Sequence, residues 1–126
     1  MGTGGGLLPD PKIMGPRIID RLRRAQHLGV KLAFGSDTVV DLPNKTRADM
    51  MMDYLGVWLA AGIPPAGILK AMTTTAADLF RMQKQRGALA AGLSADIIAT
   101  PANPLEDIEA LRRVSFVMKE GRVVKR

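Results

Sequence analysis

Between Gly29 and Gly35 lies one short apolar run, Val30-Lys-Leu-Ala-Phe34, and it constrains this chain more than any other feature. Its length and its flanking glycines predict a buried strand. The residues on either side have helical periodicity instead. Ile18, Ile19, Leu22, Ala25 and Leu28 recur at steps of three and four, with Arg and Asp between them. That pattern predicts an amphipathic helix, and Gly29 is placed to end it. After the run, Thr46 can cap a helix with Asp49 in its first turn. Met51, Leu55, Trp58 and Leu59 give that helix an apolar stripe, and Gly62 ends it. Pro64 and Pro65 suit the first turn of the next helix, which carries Ile68, Leu69 and Met72 inward. Thr75 is placed to cap a short helix from Ala76 to about Met82.

The order helix–strand–helix–helix is that of a β/α repeat. The texture changes near Arg86. Asp96–Thr100 reads as a strand, and Leu105–Leu111 as a turn or two of helix. Val114, Phe116 and Met118 alternate, Glu120-Gly121 offers a two-residue turn, and Val123-Val124 returns as the second arm of a hairpin. The fold class expected is α/β. The chain divides into a flexible Gly- and Pro-rich lead-in (1–16), a helix–strand–helices segment (17–85) and a strand segment with a C-terminal hairpin (86–126).

Composition excludes several functions. The 126 residues contain no cysteine, so disulfides, thiolate metal sites and cysteine nucleophiles are absent. Hydrophobic residues at 47% with charged residues at 24% suit a folded globular chain. No apolar run approaches the roughly 20 residues that span a bilayer. The opening Met1-Gly-Thr-Gly-Gly-Gly lacks the basic and apolar regions of a secretory signal. A cytoplasmic location without membrane contact is therefore expected. The net charge of +6 is spread over Arg17, Arg21, Arg23 and Arg24, then Arg81, Lys84 and Arg86, then Lys119, Arg122, Lys125 and Arg126. No aromatic residues are interleaved with these to stack bases, so no nucleic acid is expected as partner.

Asp37 is the sharpest candidate for chemistry. It follows the predicted strand directly, and in parallel α/β folds catalytic groups gather at the C-terminal ends of strands. A carboxylate there can bind a metal or accept a proton from metal-bound water. Many such aspartates only cap a turn, and the residue alone does not separate the two readings. Other candidates are weaker. His27, the sole histidine, falls at the end of the first helix, where its charged form suits the helix terminus. Ser36 has no histidine nearby to activate it. Gly2 to Gly6 is not followed by the Gly-Lys-Ser/Thr of a phosphate loop. Asp78 reads as a helix-dipole residue in the first turn of the short helix. Met50, Met51 and Met52 read as helix core.

Taken in order, several stretches resemble the amidohydrolase superfamily. Gly29-Val-Lys-Leu-Ala-Phe-Gly-Ser-Asp37 resembles its eighth barrel strand. Ile68-Leu-Lys-Ala-Met-Thr-Thr-Thr-Ala-Ala-Asp-Leu-Phe80 resembles the helix pair that closes the barrel. Gly87, Gly92-Leu-Ser-Ala-Asp-Ile-Ile98, Asn103-Pro-Leu105 and Val117-Met-Lys-Glu-Gly-Arg-Val123 resemble its tail. Imidazolonepropionase-type and Xaa-Pro dipeptidase-type members are the most similar. The resemblance implies the last β/α units of a TIM-type (β/α)8 barrel, incomplete in this chain, followed by strands of a small β-sandwich in which Asp96 is structural. It implies zinc or another divalent metal, with Asp37 as metal ligand and proton shuttle. It implies that Thr38 and Asp41, in the loop after Asp37, line the substrate pocket. The substrates implied are small amides, cyclic amides or dipeptides, hydrolysed at a C–N bond.

The family also uses a His-x-His pair, a bridging carboxylated Lys or Glu, and two further histidines, all from segments that precede this one. A whole barrel takes about 250 residues. The expectation is therefore a C-terminal part of a metal-dependent amidohydrolase that by itself binds no metal tightly and catalyses nothing. The alternative is a non-catalytic, self-associating module, since apolar helix faces and unpaired strand edges favour homo-oligomers.

Overall fold

The computed structural model describes residues 11–39 and 41–126, with backbone alone over 11–14. Residues 1–10 of the expected lead-in lie outside the described residues. The elements run α1 (Pro11–His27), α2 (Arg47–Ala60), α3 (Pro65–Met72), α4 (Thr74–Leu79), β1 (Ile97–Ala99), a 3-10 helix (Ile108–Arg113), β2 (Phe116–Lys119) and β3 (Arg122–Lys125).

Helix α1 begins earlier than the sequence suggested, so residues 11–16 of the expected lead-in are helical. Pro16 sits inside it, where the ring removes one intrahelical bond. Ile18, Ile19, Leu22 and Ala25 turn inward as the periodicity requires, while Leu28 is 79% exposed. Leu28 falls past the last helical turn. There the N–H of Gly29 donates to Gln26 and that of Val30 to Ala25, both at 3.0 Å. Gly29 takes a left-handed φ of 69°, which completes a Schellman cap.

Helix α2 carries the core. Thr46 and Asp49 form a reciprocal capping box at its start. Gly62, with φ of 86°, closes its end by the same pair of bonds: Gly62 N–H to Leu59 at 2.8 Å and Ile63 N–H to Trp58 at 3.1 Å. Met52, Leu55 and Trp58 pack with Ile63, Ile68, Ala71 and Ile108 into one cluster. Leu55, Ile68 and Ile108 are fully buried. Each such side chain contributes about 1.5–3 kcal/mol relative to exposure. Leu59, expected in the stripe, is 39% exposed, whereas Met52, outside it, is buried with Leu55 and Trp58.

Val30–Phe34 is not a strand. The run gives its Phe34 N–H to Ala71 O at 3.0 Å, and its Leu32 and Phe34 side chains pack against the core. Strand structure is a pairing relation, and no described strand lies beside this segment to exchange hydrogen bonds with it. The α/β expectation is thus met in part: the only sheet among the described residues is antiparallel.

That sheet has the order β1-β2-β3. Ile97 faces Met118 and Ala99 faces Phe116, and β2 turns into β3 through Glu120 (φ 49°) and Gly121 (φ 76°). Two consecutive left-handed residues define the tight hairpin turn that the Glu-Gly pair suggested. Ile108 and Leu111 reach back to the α2 cluster. Helix α4 starts at Thr74 rather than after Thr75. Thr73, at its N-cap position, gives its hydroxyl to Leu69 O at 2.6 Å instead of capping. No described helix is long and apolar enough to cross a membrane.

Candidate functional site

Asp37 stands in the connection between the 30–34 run and α2. What holds that connection in place begins at Phe34. Its ring meets Trp58 edge-to-face, with centroids 5.5 Å apart and planes at 61°. Such a pair adds about 0.5–1.5 kcal/mol beyond burial. Three residues on, Asp37 takes a left-handed φ of 45°. Among non-glycine residues, Asp is one of the few that adopt this region, because its short polar side chain can bond locally. Among the described residues its carboxylate joins no ion pair.

Asp37 and Thr38 lie on the wall of a cavity of about 340 Å³. Val39, Leu42, Met50, Tyr54 and Val57 make the apolar part of the lining, and Lys45 and Asp53 add charge. The Thr38 hydroxyl is shielded from solvent and has no hydrogen-bond partner among the described residues. Asp41 is not on this wall; its carboxylate accepts from Arg47 Nε at 3.2 Å.

Below the loop runs a chain of charges that the sequence did not announce. Leu42 and Lys45 pair across a tight turn whose Asn44 has φ of 63°. Lys45 Nζ donates to Asp53 Oδ2. The other oxygen of Asp53 accepts from Arg112 Nη2 at 3.1 Å, and Arg112 also bonds Glu109. Lys45 first, and Arg112 second, hold the Asp53 carboxyl below the usual carboxylate range. Glu109 and Asp53 push the Arg112 guanidinium up.

Of the remaining titratable candidates, Asp78 and Asp96 have structural partners. His27 lines a different cavity, with Arg23, Gln26, Ala61 and Gly62. Asp78 falls late in α4, not in its first turn, and bonds Lys31 at 3.1 Å. Asp96 accepts the Glu120 N–H at 2.8 Å and the Ser94 hydroxyl at 3.1 Å. The backbone bond above all holds its carboxyl low. Arg86 reaches both Asp96 (3.5 Å) and Glu120 (3.4 Å), tying the approach to β1 to the hairpin turn. A larger cavity of about 630 Å³ lies between α4 and the sheet. Its walls are mostly apolar, and its Arg86 and Asp96 are already paired.

Among the described residues, no three His, Cys, Asp or Glu side chains group closely enough to hold a metal ion. A catalytic zinc site takes roughly three or more protein ligands. The donor set present therefore does not amount to a metal site.

Residues 13–124 match the Amidohydrolase family, and the chain belongs to that family. A search of the curated proteins gives no match. Among solved structures, the chain is similar to a Xaa-Pro dipeptidase with methionine bound in its active site, at 32% identity and a TM-score of 0.77. The match covers 88% of this chain and 26% of that one. It is also similar to a provisionally assigned prolidase from Bifidobacterium longum (31% identity, TM-score 0.74, 86% and 26% covered). An amidohydrolase from Thermotoga maritima shares the fold at 18% identity and a TM-score of 0.66, with 86% and 26% covered. The chain thus spans about a quarter of the length of these structures.

Proposed function

We propose that this chain forms the C-terminal part of a metal-dependent amidohydrolase that cleaves C–N bonds in small amides or dipeptides, with Asp37 as its contribution to the chemistry. The observation that carries the proposal is an aspartate in left-handed backbone, without an ion pair among the described residues, on the wall of a cavity, in a chain of this family. The printed descriptions of the similar structures, a Xaa-Pro dipeptidase and a prolidase, favour dipeptides among the substrates.

In this reading residues 17–85 are the closing β/α units of a TIM-type barrel. Val30–Phe34 becomes a strand only when neighbouring strands pair with it. Residues 86–126 supply strands of a β-sandwich. Asp37 would be one ligand to zinc or another divalent ion, and its carboxylate would hold a proton taken from the attacking water. Thr38, with its shielded hydroxyl, would contact substrate, and Asp41 would border the pocket from the loop. One carboxylate falls short of the ligands zinc requires, so the chain alone is expected to be inactive. Exposed apolar side chains favour a second property, self-association of the chain.

The test is equilibrium dialysis against zinc together with hydrolysis of Xaa-Pro dipeptides, for the wild-type chain and Asp37→Ala. Expected are weak zinc binding, further weakened by D37A, and no hydrolysis by either. Tight stoichiometric zinc that persists in D37A would remove Asp37 from the metal.

A further inference from the structure

The loop that carries Asp37 has little structure of its own. Among the described residues it contains no regular element between Gly35 and the start of α2. Among the described residues its polar holds are the Leu42–Lys45 turn, the ion pair from Asp41 to Arg47, and the bond from Lys45 to Asp53. Asp41 and Arg47 are the most exposed pair, with side chains 84% and 66% accessible, and pairs of that kind constrain weakly. The third hold is about half exposed too, Lys45 at 50% and Asp53 at 45%, and differs in its connections. Asp53 sits on α2 and uses both oxygens on different segments, Oδ2 for Lys45 of the loop and Oδ1 for Arg112 of the 3-10 helix. Arg112 is in turn oriented by Glu109 one turn back. The 3-10 helix is itself anchored, since Ile108 is buried in the α2 cluster. The support from α2 and the 3-10 helix therefore meets the loop at one carboxylate.

We infer that Asp53 is a positioning residue for the candidate site, holding Lys45 and, through it, the loop bearing Asp37 against α2 and the 3-10 helix. The inference rests on the reading of Asp37 as the working carboxylate. Asp53 lines the same cavity as Asp37, yet its charge is engaged on both sides, which leaves it a holding role and not a reacting one.

Backbone order parameters from ¹⁵N relaxation test this on the full chain without metal. In the wild type, the amides of Asp37, Thr38, Asp41, Leu42, Asn44 and Lys45 should show values near those of rigid backbone, about 0.85. In Asp53→Asn the same amides should fall below about 0.6, with α2 and the sheet unchanged. Lys45→Met should reproduce the loss, and Asp53→Glu should recover most of it. Glu109→Gln, which touches the network but not the loop, should leave the loop ordered. Wild-type values already below about 0.6, an unchanged loop in both D53N and K45M, or equal loosening by E109Q would each overturn the inference. Broadening of the Asp37 signals by Mn²⁺, recorded on the same samples, reports separately on Asp37. Its absence in the wild type would count against the metal role while the order parameters still decide the role of Asp53.

Discussion

Arg81 occupies a position that backbone geometry reserves for glycine. It follows α4 with φ of 57°, its N–H donates to Asp78 O at 3.0 Å, and the next N–H, of Met82, donates to Ala77 O at 2.7 Å. Gly29 and Gly62 close α1 and α2 with the same bonds, without a Cβ to crowd the left-handed turn. The arginine is exposed and makes no ion pair among the described residues, so nothing visible offsets its strain of about 1–2 kcal/mol. Arg81→Gly should therefore raise stability by about 0.5–1 kcal/mol, after the entropy glycine adds to the unfolded chain. Urea midpoints measure this, and a lower midpoint would contradict it. Asp37 is also left-handed, away from any helix end, and as an Asp it adopts that region more readily than an arginine; a glycine there would delete the carboxylate. Gly87 is the reverse case. Its φ is 99°, and a Cβ there would stand 2.5 Å from the Cβ of Ala77.

At the level of the element, α2 sets the position of the candidate loop, and its N-terminus is where the loop ends. The Asp49 N–H donates to the Thr46 hydroxyl at 3.1 Å, and the Asp49 carboxylate accepts the Thr46 N–H at 2.9 Å and the hydroxyl at 2.7 Å. Thr46→Ala should cost about 1 kcal/mol at neutral pH. The hydroxyl bond, then the backbone bond, hold the Asp49 carboxyl below its ordinary value of 3.8. A group held low in the folded state stabilises above its unfolded value and loses that contribution as pH falls through the folded one. The gap between wild type and T46A should thus stay constant above about pH 4 and narrow below it. Thermal melts from pH 6 to pH 3 test this, and a gap that widens in acid would rule the account out.

For the molecule as a whole, the distribution of apolar surface is the main feature. The core is one cluster around α2, while Leu28, Val39, Leu79, Phe80 and Leu89 are each at least 66% exposed. Strands β1 and β3 both leave an edge of the sheet unpaired among the described residues. Apolar patches and open edges together drive association in water. The purified chain should accordingly give a mass above the monomer by light scattering, rising with concentration. A monodisperse monomer at high concentration would show that these surfaces do not associate.

Local chemistry made much of this legible in the sequence. The ends of α1 and α2 follow from Gly29, Gly62 and the Thr46–Asp49 box. The hairpin follows from Glu120-Gly121, and the prominence of Asp37 from its place after an apolar run. These features depend on neighbours a few residues apart, which is why a sequence can specify them. Tertiary structure decided the rest. Val30–Phe34 has the composition of a strand, yet a strand exists only with a paired neighbour, and that lies beyond the run itself. The Asp53–Arg112 bond joins residues 59 positions apart, and nothing in either residue's surroundings foretells it. Ile108 likewise enters the α2 core only because the chain folds back, so that burial, not composition, assigns it there.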